Sequence, residues 1–421
     1  MALLGILLFT TGAAADDITF TATPGSKNAI FKNTSTINYN IDVINSLKTN
    51  EDGKLTYRIT TEKGVFVAED SLKISVKNND GARYQLSMPA GKPGFYKVSF
   101  MINVSDDDDT IRRVFGVDPD KIRSVYSKPA DFDQFWDDTK AELAKIPPNF
   151  RMTEMKDSDR NNRKVYLIEM QSLDNLTIRA WLTIPVTKSK TRKFPVYLGL
   201  PGYQVPLKPS YASDPDIAIL YLNVRGQGNS RDVIHTSRTD FITYNIEDKN
   251  KYVMRGVIMD CIRAIDFICT RPELDKDKIF VEGGSMGGYL TVATAGLDKR
   301  VKLFSAENPI LSNIRGLDGV VQWPVNDIKA YVKIHPGLTY DKIMDNMDYF
   351  DAKNFATSIN SSILVGIGLL DFLAPPNDEY TLYNNIPKDK KIMIFENLSH
   401  EVGNDYVSYQ FHWLHDSFAL F

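Results

Sequence analysis

A short apolar stretch that runs into a Gly-x-Ser-x-Gly turn constrains this chain more than any other feature. Residues 279–288 read IFVEGGSMGG, so a predicted strand leads directly into Ser285. A serine on so sharp a strand-to-helix turn needs neighbours without side chains, and Gly283 and Gly287 meet that need. The following helix N-terminus directs its free N–H groups and the positive end of its dipole toward the serine oxygen. The pattern therefore predicts a nucleophile elbow centred on Ser285.

Residues downstream of Ser285 complete the set that a serine nucleophile requires. A serine alone is a weak nucleophile and needs a partnered base, and His400 follows the apolar strand 392–395 after a short loop. Asp371 lies between them, which gives the Ser…Asp…His chain order of an α/β-hydrolase. We predict that Ser285 attacks, that His400 is the general base, and that Asp371 orients the imidazole and stabilises its cation.

The acid and the base each have alternatives in the sequence. Asp371 could instead be a helix N-cap before the Pro375-Pro376 turn, and Asp378 is then the reserve acid. The chain has five histidines, and four of them are predicted to be surface or packing residues because they lie on the C-terminal helix or in loops away from strand ends. These four are His235, His335, His412 and His415.

Backbone groups are expected to form the oxyanion hole. Acyl transfer needs two preorganised N–H donors for the oxyanion. One should come from Met286, the residue after the nucleophile, and the other from the loop after an early strand. Pro201-Gly202-Tyr203 follows the apolar strand 196–200. We therefore predict the N–H of Tyr203 as the second donor.

The chain divides into two regions with different patterns of predicted secondary structure. Residues 16–118 alternate between short strands and turns, and about seven strands in about a hundred residues predict an immunoglobulin-like β-sandwich. In residues 119–421 strands and helices alternate, which predicts a mostly parallel sheet with helices on both faces. The predicted strands include 31–41, 54–60, 72–76, 84–88, 95–104, 165–170, 177–184, 196–200, 217–224, 279–282, 303–307, 363–368 and 391–395, and the predicted helices include 131–145 and 253–270.

The N-terminus resembles a secretory leader. Residues 1–9 are apolar, and Ala13-Ala14-Ala15 follows them, as in the apolar region and the small-residue cleavage site of a signal peptide. We predict that residues 1–15 are a signal peptide remnant and that the protein is secreted or periplasmic. A buried N-terminal strand is the alternative.

Composition excludes several other classes of protein. A formal net charge of -3 gives no basic footprint for nucleic acid, and no apolar run reaches the roughly 20 residues that a membrane span needs. The chain has no His-Glu-x-x-His motif and no paired Cys/His ligands, so no metal and no cofactor are expected. Cys261 and Cys269 fall on one predicted helix about 12 Å apart, which is beyond disulfide reach.

Four separated stretches carry a resemblance to a known family. They are DFDQFW at 131–136, RGQG at 225–228, GGSMGG at 283–288, and His400-Glu401. With these motifs in this order, residues 118–421 resemble the acetyl xylan esterase and cephalosporin C deacetylase family of α/β-hydrolases, carbohydrate esterase family seven. The resemblance implies a serine esterase that removes acetyl groups from carbohydrate esters, such as acetylated xylan or xylo-oligosaccharides, through an acyl-enzyme.

The chain also departs from the pattern of that family. Met286 stands where the family has glutamine, residues 198–201 read LGLP in place of a histidine-rich stretch, and the N-terminal sandwich is added. Many relatives look oligomeric through hydrolase-domain surfaces, so a homo-oligomer is an expectation that the added sandwich could block. These departures leave open which carbohydrate is the substrate.

Three further residues and two other functions are compatible with parts of this pattern. Arg225 is predicted to pin the loop behind the site to a carboxylate through its planar fork, Glu401 is predicted to support the histidine, and Trp323 is core or substrate wall. A peptidase of the prolyl-oligopeptidase kind shares the elbow but needs an upstream propeller, for which the sandwich is too short. A non-catalytic carbohydrate-binding protein is the third alternative, and the intact Ser285, Asp371 and His400 argue against it.

Overall fold

The computed structural model describes residues 18–105, 107–387 and 389–420. The predicted leader, residues 1–15, lies outside the described residues. The described residues divide into two compact units: one comprises residues 18–92 with Tyr96–Val117, and the other comprises Pro93–Phe95 with residues 118–420.

The first unit consists of strands in two sheets. The strands are β1 (Ile18–Pro24), β2 (Ile30–Phe31), β3 (Thr36–Asn45), β4 (Glu51–Thr61), β5 (Phe66–Val76), β6 (Asp80–Pro89), β7 (Gly94–Val104) and β8 (Asp107–Val117). One sheet has the order β1-β3-β6 and the other β2-β8-β7-β4-β5. This division of strands is that of an immunoglobulin-like sandwich.

Alternating side chains explain why these strands pack as two layers. In β3 every second residue from Ile37 is buried, because one face of a strand meets the core and the other meets water. The ring of Tyr39 on β3 lies 4.9 Å from the ring of Phe100 on β7, centroid to centroid, and so joins the two sheets.

One predicted strand of this unit is wrong. The expected strand 31–41 is two strands, because β2 ends at Phe31 and β3 begins at Thr36. β2 pairs in parallel with β8, whereas β3 pairs with β1 and β6 in the other sheet. The chain changes sheets between them, and an apolar pattern alone does not reveal such a change.

The second unit is built on one large sheet. Its strands are β9 (Arg151–Glu154), β10 (Arg163–Gln171), β11 (Thr177–Pro185), β12 (Phe194–Leu200), β13 (Ala218–Asn223), β14 (Leu274–Gly284), β15 (Leu303–Glu307), β16 (Ser362–Gly368) and β17 (Lys390–Phe395). Their order is β17-β16-β15-β14-β12-β13-β11-β10-β9. The strands from β12 to β17 pair in parallel, and β9, β10 and β11 add antiparallel pairs at one edge. The predicted α/β fold class is confirmed.

Helices cover this sheet. They are α1 (Phe132–Lys145), α2 (Val253–Thr270), α3 (Met286–Leu297), α4 (Val325–Ile334), α5 (Tyr340–Met347), α6 (Ala352–Ala356), α7 (Pro376–Asn385) and α8 (Asn404–Phe418). α3 packs against β14 and β15, and α8 places Leu414 and Phe418 on Phe280 and Leu303. Among the helices of the described ranges, none has the length and apolar character to cross a bilayer.

Candidate active site

Ser285 stands at the sharp turn between β14 and α3. Its backbone has φ 60° and ψ -118°, a conformation that a residue other than glycine rarely adopts. A Cβ at Gly283 would lie 2.5 Å from the carbonyl carbon of Gly287, and a Cβ at Gly287 would lie 2.5 Å from the oxygen of Leu200. The turn therefore closes only because both flanking residues lack side chains. The N–H of Ser285 donates to the oxygen of Glu307 at 2.8 Å, which anchors the turn to β15.

Asp371 and His400 are brought together by two loops at the ends of neighbouring strands. Nδ1 of His400 lies 2.7 Å from Oδ2 of Asp371, and the Asp371 carboxylate has no exposed surface. Its other oxygen accepts the backbone N–H groups of Leu373 and Ala374 at 2.8 and 2.9 Å. Three donors thus hold one carboxylate, which fixes the direction of the imidazole.

Asp371 does not cap α7, although its Oδ1 accepts the N–H groups two and three residues on, as a capping carboxylate does. α7 begins at Pro376, with Pro375 in the cap position. The reserve acid Asp378 lies inside α7 and accepts the side-chain amide of Asn313 at 2.8 Å. Asp371 is the acid that the structure joins to His400.

The remaining nitrogen of the imidazole has no hydrogen-bond partner among the described residues. This atom, Nε2 of His400, is also buried. With Nδ1 donating to Asp371, Nε2 is the basic nitrogen. Catalytic hydrogen bonds of this kind are often long before substrate binds, so an unpartnered Nε2 is the state expected of a resting general base.

The two predicted oxyanion donors belong to adjoining segments. A Cβ at Gly202 would lie 3.8 Å from the oxygen of Gly284, so the loop after β12 runs beside the elbow. Among backbone-to-backbone hydrogen bonds of the described residues, none has the N–H of Tyr203 or Met286 as its donor. Both groups are therefore left for an external acceptor.

Side-chain contacts hold the Tyr203 loop in place. The Tyr203 hydroxyl donates to the oxygen of Arg238 at 2.6 Å and accepts the N–H of Ile242 at 3.2 Å. Burial raises the pKa of this hydroxyl, so it stays protonated. Its ring lies 5.1 Å from that of the half-buried Trp323 and 5.8 Å from that of Phe241. The segment 314–347 thus reaches the predicted oxyanion loop through Trp323.

Arg225 pins the loop after β13, as predicted. Its Nε and Nη2 donate to Asp260 at 3.0 and 2.8 Å, and its Nη1 donates to Asp174 at 2.9 Å. Gly256 on α2 leaves the space that the guanidinium fills. Its fork is thus fully used within the protein, and its role is structural.

Gln227, in the same loop after β13, contacts the nucleophile elbow. Nε2 of Gln227 donates to Sδ of Met286 at 3.8 Å, a weak bond to a thioether. Oε1 of Gln227 is buried and has no partner among the described residues. Gln227 therefore contacts Met286 through Nε2 and keeps one buried polar atom, Oε1, unsatisfied.

The other histidines lie in different surroundings. His335 and His412 contact backbone oxygens of their own helices, and His235 is exposed. Nε2 of His415 lies 2.8 Å from Oδ2 of Asp214, a second His–Asp contact that we did not predict. Its partner is 201 positions away, and no local pattern signals so distant a contact.

A further group that sequence reasoning missed lies behind the elbow. Glu282 on β14 accepts the hydroxyl of Tyr197 at 2.6 Å. Loss of hydration and the nearby Glu307 carboxyl raise the pKa of Glu282 to about 8, against the hydrogen bond from Tyr197. Loss of hydration also raises the pKa of Glu307. The glutamate before the elbow was visible in the sequence, but its neighbour on the next strand depends on the register of the sheet.

Comparison with known proteins gives a matching family model and curated relatives that include an esterase and a peptidase. The family model described as acetyl xylan esterase (AXE1) matches residues 119–417. Acetyl esterase Axe7A of Xylanibacter ruminicola is 27% identical over 341 residues, which cover 78% of this chain and 75% of that protein. An uncharacterized peptidase of Bacillus subtilis, YuxL, is 23% identical over 255 residues, which cover 56% of this chain and 35% of that protein.

Two solved structures extend the comparison to the fold. The acetyl xylan esterase from Paenibacillus sp. R4 has a TM-score of 0.64 and 26% identity, covering 71% of this chain and 98% of that one. Acetyl xylan esterase 1 from Thermoanaerobacterium sp. JW/SL YS485 also has a TM-score of 0.64, with 23% identity, covering 71% of this chain and 97% of that one. Both likenesses span nearly the whole of the solved chains.

Proposed function

This chain belongs to the acetyl xylan esterase family, and from that premise we propose that it removes acetyl groups from acetylated xylan and xylo-oligosaccharides. The observation that carries the proposal is the contact between His400 and Asp371, which lies within the region matched by the family model. In this contact Nε2 of the His400 imidazole is buried and has no partner among the described residues. The enzyme is a carboxylic ester hydrolase. Its family supports an acetylated carbohydrate as the ester.

In the proposed first half-reaction, Ser285 is acetylated. Its Oγ attacks the acetyl carbonyl carbon while Nε2 of His400 takes the hydroxyl proton. The N–H groups of Tyr203 and Met286 receive the oxyanion of the tetrahedral intermediate. The intermediate collapses by breaking the bond to the sugar oxygen, and His400 returns the proton to that oxygen. Asp371 stabilises the imidazolium throughout.

The second half-reaction regenerates the serine. A water molecule loses a proton to His400 and attacks the acetyl-Ser285 carbonyl. The same two N–H groups receive the second oxyanion, and its collapse releases acetate and returns the proton to Oγ of Ser285. No step needs a metal or a cofactor, because the proton and the charge are handled by these side chains and backbone groups.

We also propose that the enzyme acts outside the cytoplasm. The support is the apolar N-terminal stretch and its Ala13-Ala14-Ala15 segment. N-terminal sequencing of protein recovered from the periplasm or medium should give a start close to Asp16.

We propose in addition that copies of the chain associate through surfaces of the hydrolase unit. The family resemblance implies this association, and light scattering would measure the mass of the assembly.

Acetate release from polymer tests the proposed substrate directly. Purified protein is incubated with acetylated xylan, acetylated xylo-oligosaccharides, and butyryl and feruloyl esters, with the Ser285→Ala variant as the blank. We expect acetate from both xylan substrates and little product from the longer esters. Feruloyl release without acetate release from either xylan substrate would refute the assignment.

A further inference from the structure

Glu282 and Glu307 lie on the same face of the sheet, directly behind the nucleophile. In the pairing of β14 with β15, Glu282 lies opposite Ser305 and Gly284 lies opposite Glu307. Residues that face each other across a ladder, and alternate residues along a strand, point to the same side. All four positions therefore share one face, with Glu282 and Glu307 in diagonal positions.

Two glycines make room for these carboxyl groups. A Cβ at Gly284 would lie 3.6 Å from Oε2 of Glu307, so this carboxyl leans over the residue that precedes Ser285. On the other side, a Cβ at Gly199 would lie 2.6 Å from the ring of Tyr221, and Gly199 is the residue of β12 that faces Glu282. The Tyr221 ring thus walls the pair on that side.

The groups that the structure places around the pair are uncharged, and Ser305, opposite Glu282, is hydrogen-bonded to Tyr406 and accepts the side-chain amide of Gln410 at 2.7 Å. Tyr197 on β12 donates its hydroxyl hydrogen to Glu282. In addition to burial, the charges of both carboxyl groups raise the pKa of Tyr406 on α8, and the charge of Glu282 raises the pKa of Tyr221 on β13. Burial raises the pKa of all three tyrosines, so they stay neutral at pH values at which esterases are assayed. None of these groups is a cation, so a proton is what can relieve the repulsion of two carboxylates here.

The backbone of Glu307 connects this pair to the chemistry. Its oxygen accepts the N–H of Ser285 at 2.8 Å, so a shift between β14 and β15 at this point also shifts the serine. A second negative charge beside Gly284 would in addition oppose the charge that develops on the oxyanion. Both effects slow the acylation of Ser285.

We propose that Glu282 and Glu307 share one proton and act together as positioning residues for Ser285, so that release of this proton to solvent lowers turnover. The inference rests on the proposed esterase function for its activity measurement. Beyond that function, Glu282 and Glu307 are assigned the role of holding the elbow in position. The raised pKa of Glu282, about 8, sets the alkaline range in which the effect is expected.

The pair also makes a prediction about stability, whose sign follows from proton binding. A glutamate has a pKa near 4.3 in an unfolded chain, and the folded protein holds the shared proton up to about pH 8. Between these values the native state binds more protons than the unfolded state, so the pair's contribution to stability falls as the pH rises. Below about pH 4 both carboxyl groups are protonated in the folded and the unfolded chain, so their repulsion does not change the free energy of unfolding.

Glu282→Gln is the decisive variant, because its amide keeps an oxygen for Tyr197 and cannot ionise. We expect the wild-type kcat on 4-nitrophenyl acetate to fall about tenfold from pH 7 to pH 9, after subtraction of the rate without enzyme, and the variant to fall less than threefold. The melting temperature of the variant relative to wild type should rise by at least about 3 °C between pH 5 and pH 9. Glu307→Gln should give the same two shifts and is a second reading if one variant folds poorly.

Glu154→Gln is the matched control, since it removes a carboxylate of β9 that pairs with the exposed Lys164 of β10. It should follow the wild type in both measurements. The proposal would be overturned by two results together for the folded Glu282 and Glu307 variants. Their kcat would fall toward pH 9 as much as that of the wild type, and their melting temperatures would differ from that of the wild type by the same amount at pH 5 and pH 9. If the wild type cleaves no ester, the proposed function fails, and the melting measurement still decides whether the pair holds a proton.

Discussion

Nδ1 of His400 lies 2.7 Å from Oδ2 of Asp371, although the two residues are 29 positions apart in the chain. The contact joins the loop after β16 to the loop after β17, and it leaves Nε2 as the free basic nitrogen. An imidazole so oriented is of use only if a nucleophile lies in front of it. We expect Ser285 to be that nucleophile.

Ser285→Ala should abolish turnover without unfolding the protein. Because the members of a triad act as one unit, we expect kcat/KM on acetyl esters to fall by at least about a thousandfold, with a melting temperature within a few degrees of wild type. Ser408→Ala on α8 is the control and should keep full activity. Turnover near the wild-type level would remove Ser285 from the mechanism.

Asp371→Asn should lower kcat by up to about four orders of magnitude, because the amide favours the wrong imidazole tautomer. Asp378→Asn is the informative comparison. It weakens the hydrogen bond from Asn313 and should lower the melting temperature while kcat stays near normal. The reverse pattern, with Asp378 essential and Asp371 dispensable, would make Asp378 the catalytic acid.

Acetyl esters should be preferred over longer ones. Met286 is fully buried beside the elbow, and the Gly202-Tyr203 loop runs close to Gly284, so we expect a tight acyl pocket. Each added methylene should cost about 1–3 kcal/mol in transition-state binding. The check is kcat/KM for acetyl, butyryl and octanoyl esters of one alcohol. Equal or rising values along the series would indicate a lipase-like site instead.

Met286→Gln should stabilise the fold and keep activity. A buried, unsatisfied oxygen costs about 1–3 kcal/mol. A glutamine amide at 286 can donate to Oε1 of Gln227 once the Gln227 amide turns over, because Nε2 now faces position 286. We expect a gain of about 1 kcal/mol in the free energy of unfolding by urea titration. Met286→Leu keeps an apolar side chain and should give no such gain. A glutamine variant that is no more stable than the leucine variant would contradict this account of Gln227.

The N-terminal unit should be dispensable for bond breaking. Its buried aromatic residues, among them Tyr39 and Phe100, pack within its own sheets, and the sequence of residues 17–117 shows no catalytic cluster. A chain that begins at Pro119 should therefore hydrolyse small acetate esters at nearly the full rate, while its activity on acetylated polymer should fall. Circular dichroism verifies folding first. A folded but inactive truncation would mean that this unit contributes to the site.

The elements that the sequence predicted well are those with local causes. The elbow follows from Gly283 and Gly287, and α2 begins and ends at the predicted residues because its apolar face repeats at helical spacing. What the sequence did not reveal depends on register between distant strands. The neighbours Glu282 and Glu307, the contact of His415 with Asp214, and the change of sheet between β2 and β3 arise only once the chain is folded. The roles assigned to Ser285, Asp371, His400, Tyr203 and Met286 remain predictions for the variants above.

The close approach of Gly287 to the oxygen of Leu200 has a consequence for how this site can vary. Leu200 ends the strand that leads into Tyr203, and Gly287 follows Met286, so the segments bearing the two proposed oxyanion donors touch backbone to backbone. The spacing between the donors is therefore set by main-chain packing rather than by side chains. Substitutions at 203 or 286 can reshape the acyl pocket while that spacing is retained, and substrate range can thus diverge among relatives without loss of the underlying reaction.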